Sequence, residues 1–126
     1  MTREIIFTDK APAPGPYSQA IKHNGLVFVS GQTAEDPKTG EPIRGGIAEQ
    51  TRSVLTNIAA ILEAAGSSLE RVLKVNIYLS DIKLKPEMNT VYKEFFPQNP
   101  PARIAMGGVE LDYGLDIEVD VIAIAD

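Results

Sequence analysis

The spacing of apolar residues along the chain predicts six strands and two helices. Six short segments are rich in β-branched residues or alternate between apolar and polar residues, as strands do. These segments are Glu4–Thr8, Gln19–Lys22, Leu26–Ser30, Leu73–Ser80, Ala102–Leu111 and Leu115–Ala125. Apolar residues three and four positions apart predict a helix from Ile47 to Ala65, and a second helix begins at Pro86 and ends before Pro97. The predicted order is therefore β-β-β-α-β-α-β-β.

The residues between these segments indicate turns and one ordered loop. Asn24-Gly25 is a strong β-hairpin signal, and Gly66 stands where the end of a helix favours a left-handed residue. Three prolines within residues 11–17 fix φ and remove amide donors, so we expect an ordered loop there rather than a strand. The turn residues at 112–114 predict that the last two strands form an antiparallel hairpin.

The two predicted helices can cover only one face of the sheet. In the last strand, apolar residues alternate with acids as far as Val121, but Ile122 and Ile124 then make the second face apolar as well. An apolar face of this kind needs cover, and the chain offers no further element to supply it. We therefore expect the protein to be an oligomer.

Composition narrows the possible chemistry. The chain has 126 residues, the size of a single domain over 1–126, with no Cys and one His. This excludes disulfides, thiolate catalysis, metal sites built on Cys, and a multi-His metal site within one subunit. The net charge of −5 argues against nucleic-acid and anionic-membrane partners. We find no signal sequence and no apolar run of membrane-spanning length, so we expect a cytoplasmic protein.

Several candidate catalytic groups have a plainer interpretation. His23 lies at the predicted hairpin and is expected on the surface, and no Gly-x-Ser-x-Gly motif is present for a serine hydrolase. Asp116, Glu118 and Asp120 share one face of the last strand and could bind a hard cation, but such acids more often keep a strand soluble. The glycine pairs at 45–46 and 107–108 match no phosphate-binding fingerprint. We expect no metal.

Arg103 is the more informative residue. It follows Pro100-Pro101 in a predicted strand and has apolar neighbours, so its guanidinium needs a carboxylate or phosphate partner. One interpretation is a structural salt bridge to an acid of the last strand, and the other is a bound ligand. The spacing alone favours the salt bridge and leaves the ligand open.

Six motifs occur in a fixed order across nearly the whole chain. They are Pro12–Ala20, Val29–Gln32, Glu49–Arg52, Leu62–Leu69, Met88–Phe96 and Pro101–Arg103, which read PAPGPYSQA, VSGQ, EQTR, LEAAGSSL, MNTVYKEFF and PAR. Each motif alone is common, but the ordered combination is specific. By these motifs the chain resembles the RidA (reactive intermediate deaminase A, YjgF) family.

The resemblance implies a fold and a function. The fold would be chorismate-mutase-like α+β, a mixed sheet with two helices on one face, assembled as a homotrimer with its sheets facing inward as a barrel. Active sites would lie in clefts between subunits. Deaminating members of the family hydrolyse 2-iminoacids, such as 2-iminobutanoate and 2-iminopropanoate, and their enamine tautomers to 2-ketoacids and ammonia without a cofactor. The implied role is protection from reactive metabolites that pyridoxal-phosphate enzymes such as threonine dehydratase release.

The resemblance also assigns the two catalytic roles. Arg103 matches the arginine that binds the substrate carboxylate, and Glu118 matches the glutamate that holds or activates the attacking water. A planar guanidinium can bind a carboxylate bidentately, and a carboxylate can accept a proton from water. A protonated imine is already a strong electrophile, so no covalent nucleophile is required. On the predicted hairpin, the two residues would lie on adjacent strands.

Five further residues match positions at the family's substrate-binding site. Tyr17 matches a tyrosine that lines the pocket, and Ser30 and Gly31 match residues at the end of a strand. Asn89 matches a residue on a helix face near the neighbouring subunit's site, and Ala105 follows the arginine by two positions.

Departures from the family pattern leave other functions open. Deaminating members often follow the arginine with Ser or Thr and then a small residue such as Cys, where this chain has Ile104-Ala105. Gly107-Gly108 and Leu111-Asp112-Tyr113-Gly114 also replace more usual segments of the family. One alternative is a non-catalytic trimer that binds small carboxylates or partner proteins as a regulator or chaperone. Another is a hydrolase for a different imine or enamine, or for a carbamate.

Overall fold

The computed structural model describes residues 2–126, and its elements follow the predicted order. The strands are β1 (Glu4–Ile6), β2 (Ala20–His23), β3 (Leu26–Thr33), β4 (Val72–Leu79), β5 (Ala102–Met106) and β6 (Ile117–Ile124). The helices are α1 (Ile47–Ala64) and α2 (Lys85–Phe95), with single 3-10 turns at Leu69–Arg71, Ile82–Leu84 and Asp112–Gly114. No helix in this part of the chain is long and apolar enough to cross a membrane.

The strands form one mixed sheet in the order β1-β2-β3-β6-β4-β5. β4 and β5 are parallel and are connected through α2, whereas all other neighbouring strands are antiparallel. Both helices pack on one face of this sheet, as predicted, and the buried apolar side chains of α1, β4 and β6 form the centre of the core. These include Val54, Leu55, Ile58, Ile61, Leu62, Val75, Ile77, Val119 and Val121.

The predicted hairpin of the last two strands is wrong. β6 pairs with β3 and β4, and β5 lies at the sheet edge. After Met106 the chain leaves the sheet through two glycines. Gly107 passes so close to Ile82 that a Cβ would lie 2.5 Å from the Ile82 backbone nitrogen, and Gly108 has a φ of +74°, which favours glycine. β5 is therefore shorter than predicted and ends at Met106 instead of Leu111. β6 therefore lies in the centre of the sheet, with Ile122 and Ile124 on the face away from the helices.

Two of the predicted turns have the expected backbone geometry. Asn24 and Gly25 have φ values of 53° and 78°, as a tight hairpin turn requires. At the end of α1, Gly66 has a φ of 79°, and the Ser67 amide donates to the Leu62 carbonyl at 2.8 Å. This bond is characteristic of a helix that ends at a left-handed glycine.

The exposure of Leu73 differs from the prediction, whereas that of His23 agrees with it. Leu73 belongs to the predicted apolar face of its strand but is 45% exposed, because the register of β4 against β6 shifts between Val72 and Lys74. His23 is partly exposed at the β2–β3 hairpin, and its Nδ1 lies 2.6 Å from the Thr2 carbonyl oxygen.

The face of the sheet opposite the helices carries an uncovered apolar row. The strand register aligns Ile5, Ile21, Phe28 and Ile122 across β1, β2, β3 and β6. Ile5 is 65% exposed and Phe28 is 43% exposed. This row is the surface for which the apolar pattern of the last strand predicts cover.

Candidate active site

A cavity of about 300 Å³ lies between the proline-rich loop and the neighbouring ends of β3 and β6. Four residues that the family resemblance assigns to the substrate site line this cavity together. They are Tyr17, Ser30, Gly31 and Glu118. Glu35 and Asp112 line it as well, and within residues 2–126 no Lys or Arg does so. We call this cavity the acidic pocket.

The proline-rich wall of the acidic pocket is held by a buried glutamine. Gln19 Nε2 donates to the carbonyls of Thr8 and Pro12 at 3.0 and 2.9 Å, and Gln19 Oε1 accepts from the Thr8 amide at 2.8 Å. Ser30 Oγ donates to the Ser18 carbonyl at 2.6 Å and connects the same loop to β3. These hydrogen bonds hold the loop in one conformation along the side of the acidic pocket, and an ordered loop is what its prolines predict.

A β-bulge shapes the floor of the acidic pocket. The register of β3 against β6 shifts between Val29 and Gln32, and bulges of this kind re-aim side chains and often lie next to active sites. At the bulge the Glu118 carboxylate lies so close to Gly31 that a Cβ at position 31 would overlap Glu118 Oε2. Only glycine leaves room for the carboxylate in this position.

Burial raises the pKa of the Glu118 carboxyl above its ordinary value. The nearby carboxylates of Asp112, Asp120 and Glu35 raise this pKa further. Thr33 is the cross-strand partner of Glu118, and its Oγ1 donates to Glu35 Oε2 at 2.5 Å, which fixes the orientation of this neighbouring carboxylate. A carboxylate with a raised pKa is a stronger proton acceptor, as the activation of water requires.

Arg103 lies on the edge strand β5, next to α2. Its Nη1 donates to Asn89 Oδ1 at 2.7 Å, and its guanidinium carbon lies 4.7 Å from the centre of the Tyr92 ring. Within residues 2–126 no acid forms a salt bridge with Arg103, so the predicted salt bridge to the last strand is wrong. Nε and Nη2 have no acceptor in the same part of the chain, which leaves one edge of the guanidinium available to a carboxylate. Ala105 is half-buried on the same side of β5.

We refer to Arg103, Asn89, Tyr92 and Ala105 as the arginine edge. The arginine edge and the acidic pocket are separate within one chain. β4 lies between β5 and β6, and it pairs Val75 with Arg103 and Tyr78 with Glu118. Two strand spacings and three residue steps put the two Cα atoms about 14 Å apart.

The arginine edge and the acidic pocket, the two halves of the candidate site, also lie on opposite faces of the sheet. Val75, the partner of Arg103, is fully buried under the helices, whereas Tyr78, the partner of Glu118, points away from them. Because β4 separates β5 from β6, the prediction that Arg103 and Glu118 lie on adjacent strands is wrong. Within one chain the two side chains cannot contact the same small molecule.

The other acids of β6 and its approach are engaged in hydrogen bonds. Asp120 accepts from Asn76 Nδ2 at 2.7 Å and from the Tyr78 hydroxyl at 3.2 Å, and Asp116 accepts from Ser80 Oγ at 2.7 Å. Residues 2–126 contain no group of three His, Cys, Asp or Glu side chains placed to hold a metal ion. The row of acids therefore links strands and contributes to the electrostatics around Glu118.

Three residues of the two halves were not anticipated from the sequence. Gln19 is a polar residue at the start of a strand, which is the only local hint of its anchoring role. Tyr92 belongs to the apolar stripe of α2 and was expected only in the core. Glu35 lies next to a turn, where an acid is unremarkable, and only the folded chain brings it to Glu118.

Comparison with known proteins gives consistent matches over nearly the whole chain. The family model described as endoribonuclease L-PSP matches residues 8–125. A RutC family protein of Pyrococcus abyssi is 51% identical over 98% of both chains. A bovine protein named 2-iminobutanoate/2-iminopropanoate deaminase is 42% identical, over 98% of this chain and 91% of its own length.

Solved structures show the same fold. The crystal structure of RidA from an Antarctic Psychrobacter species has a TM-score of 0.92 at 40% identity, covering 96% of this chain and 98% of that one. The crystal structure of Escherichia coli TdcF with bound serine has a TM-score of 0.91 at 34% identity, covering 98% and 99%. The chorismate-mutase-like α+β architecture expected from the sequence is confirmed by these matches.

Proposed function

The chain belongs to the RidA (YjgF) family, and on this premise we propose that it hydrolyses reactive 2-iminoacids and their enamine tautomers to 2-ketoacids and ammonia. Relatives about 41% identical carry the name of this activity, whereas archaeal relatives with higher identity are named only as RutC family proteins. The observation that carries the proposal is the chemical match of the two halves. One half offers an unpaired guanidinium edge for an α-carboxylate, and the other offers a base for water.

The active site is assembled from two copies in this proposal. A substrate with an α-carboxylate is repelled by the acids of the acidic pocket, because no cation within residues 2–126 lines it. Arg103 can supply the missing cation only from a neighbouring copy, because within one chain Arg103 and the acidic pocket lie on opposite faces of the sheet. We place the arginine edge of one subunit against the acidic pocket of the next in a homotrimer, whose inward sheets also cover the apolar row.

The reaction needs three proton transfers, two of them through Glu118, and no cofactor. Arg103 binds the substrate carboxylate through Nε and Nη2 while Asn89 holds Nη1. Glu118 takes a proton from water as the water oxygen attacks C2 of the protonated imine, and the C=N electron pair moves to nitrogen. Glu118 then returns the proton to this nitrogen. The C–N bond breaks, the C=O bond forms, and ammonia leaves with the hydroxyl proton as ammonium.

A nucleic-acid substrate is not part of this proposal, although the family model has the name of an endoribonuclease. A phosphodiester backbone is bound by lysine and arginine, and its affinity depends on these cations. The acidic pocket combines Glu118 with Glu35 and Asp112, and the whole chain has a net charge of −5. These charges favour a substrate with a cationic nitrogen.

A second candidate function rests on the arginine edge alone. Ile104 and Ala105 follow Arg103 where deaminating members often have a hydroxyl and then a small residue, while the carboxylate-binding edge is retained. The corresponding function is a trimer that binds 2-ketoacids or similar small carboxylates without turnover. This candidate predicts binding of 2-oxobutanoate but no acceleration of imine hydrolysis.

A coupled assay separates the two candidates. Threonine dehydratase generates 2-iminobutanoate from threonine, and 2-oxobutanoate release is compared with and without the protein. We expect acceleration by the wild type and a loss of about 100-fold in kcat/KM for Arg103→Ala, the size of a lost charge-assisted pair of hydrogen bonds. Glu118→Gln is expected to lose about 10²–10⁴-fold in kcat.

Arg52→Ala is the matched control for the coupled assay. Arg52 carries the same charge as Arg103, but it forms an exposed salt bridge with Glu94 away from both halves of the site. This variant should retain the wild-type rate. No acceleration by the wild type would refute the deaminase function, and an Arg103→Ala variant of undiminished activity would refute the assigned mechanism.

A further inference from the structure

The side chain of Tyr92 is a buried titratable group for which the proposed reaction has no use. Tyr92 is 6% exposed on α2, and its hydroxyl has no hydrogen-bond partner within residues 2–126. Burial raises the pKa of this phenol, while the neighbouring Arg103 lowers it. A neutral phenol at this position contributes its ring rather than a proton.

The Tyr92 ring contacts both Arg103 and Phe96. The Arg103 guanidinium carbon lies 4.7 Å from the Tyr92 ring centre. The Phe96 ring centre lies 4.7 Å from that of Tyr92, with an angle of 31° between the ring planes. The Tyr92 ring is anchored to the core, because Tyr92 and Phe96 are both buried there.

A guanidinium on a flexible side chain binds a carboxylate weakly unless its plane is fixed beforehand. The Asn89 hydrogen bond fixes only one point, Nη1, and leaves rotation about that point possible. The ring face of Tyr92 restrains this rotation through the attraction between a cation and an aromatic ring. Together the two contacts direct the Nε and Nη2 edge away from the protein.

We infer that Tyr92 is a positioning residue for Arg103, acting through its aromatic ring and not through its hydroxyl. This inference rests on the proposed function only in taking Arg103 as the carboxylate anchor. It adds that carboxylate affinity depends on the electron density of a ring that does not itself touch the substrate.

The inference is tested by binding of 2-oxobutanoate, which requires no turnover. Calorimetry on the intact oligomer compares the wild type with Tyr92→Phe, which retains the ring, and with Tyr92→Leu, which removes it. We expect Tyr92→Phe to bind within about two-fold of the wild type and Tyr92→Leu to bind roughly 5–30-fold more weakly, the range of a cation–π contact.

Fluorinated phenylalanines at position 92 separate positioning from packing. Successive fluorine atoms withdraw electron density from the ring face while the shape stays nearly constant, so folding is preserved even if Tyr92→Leu does not fold. We expect the affinity for 2-oxobutanoate to fall steadily from phenylalanine through mono-, di- and trifluorophenylalanine. In the coupled assay KM should rise in the same order with little change in kcat.

The outcomes are distinguishable. Equal affinity across the fluorinated series, with wild-type binding intact, would overturn the positioning role and leave the proposed function standing. Weak binding by Tyr92→Phe would assign the effect to the hydroxyl and overturn the inference as well. Absence of 2-oxobutanoate binding by the wild type would overturn Arg103 as the anchor, and the inference with it.

Discussion

Two variants that are each inactive should restore activity when they assemble together. Arg103→Ala destroys the carboxylate anchor and Glu118→Gln destroys the base, and within one chain these residues lie on opposite faces of the sheet. If a complete site takes Arg103 from one subunit and Glu118 from its neighbour, a mixed oligomer contains sites in which both native residues meet. In such a site the Glu118→Gln subunit supplies the arginine and the Arg103→Ala subunit supplies the glutamate.

The size of the recovery follows from counting interfaces. With equal amounts of the two variants and random assembly, each position at an interface has an even chance of carrying the native residue. A given site therefore contains both native residues in about one quarter of cases, which holds for any ring of identical interfaces. In the proposed trimer, selection on both tags removes the oligomers of a single variant, and each remaining mixed trimer has one such site out of its three. The expected activity of the purified mixed trimers is therefore about one third of the wild-type value per subunit, compared with losses of about 100-fold or more in each variant alone.

The assay uses the two variants with different affinity tags. Co-expression and sequential purification on both tags isolate the mixed oligomers, and the coupled 2-iminobutanoate assay measures their rate. Mixing Arg103→Ala with the active Arg52→Ala variant is the control for assembly, and it should give about half of the full rate. If mixed oligomers of the two inactive variants remain as inactive as their parents, the shared site is refuted.

Three further predictions concern the acidic pocket and the end of α1. Gly31→Ala should lower kcat about 100-fold, because the new Cβ displaces the Glu118 carboxylate and small misplacements of a catalytic group greatly reduce the rate. Gly46→Ala is the control, and it should keep a near-native rate because nothing lies within 4 Å of the new Cβ. In the single chain the raised pKa of Glu118 lets the folded state bind protons more tightly than the unfolded state, so stability falls as pH rises from about 4.5 through this pKa. In urea titrations of the dissociated subunit, Glu118→Gln should therefore raise stability near about pH 7 and not near about pH 4. Gly66→Ala should lower the free energy of unfolding by about 1 kcal/mol, measured by urea titration at fixed protein concentration, because Gly66 has a φ of +79°.

Local sequence signals predicted most elements but not the pairing of the last strand. The signals at Asn24-Gly25 and Gly66 act over a few residues, and the structure has the expected geometry at both. Residues 112–114 also form a turn, but a turn does not determine which strand comes next in a sheet. The place of β6 is set by its pairing with β3 and β4, which are far from it in the sequence, and a turn signal does not specify such partners.

The candidate site could be predicted from the sequence only in part. The resemblance selected Tyr17, Ser30, Gly31 and Glu118, which line one pocket, but it did not indicate that Arg103 lies on the opposite face. No local pattern connects Glu35 with Glu118, because the two residues approach each other only through the pairing of β3 with β6. Contacts of this range depend on the register of the whole sheet.

The charges of the two halves connect assembly with catalysis. The acidic pocket holds Glu118 with a raised pKa, so ionising this carboxyl for catalysis costs stability in the single chain. Arg103 lacks an anion in the same way that the acidic pocket lacks a cation, because its guanidinium has no carboxylate partner within residues 2–126. In the proposed trimer, joining two copies brings the cation to the pocket, lowers the free energy of the ionised Glu118, and covers the apolar row that includes Phe28. Conditions that dissociate the oligomer should therefore abolish activity and raise the pKa of Glu118 together, because both effects follow from removing the same arginine.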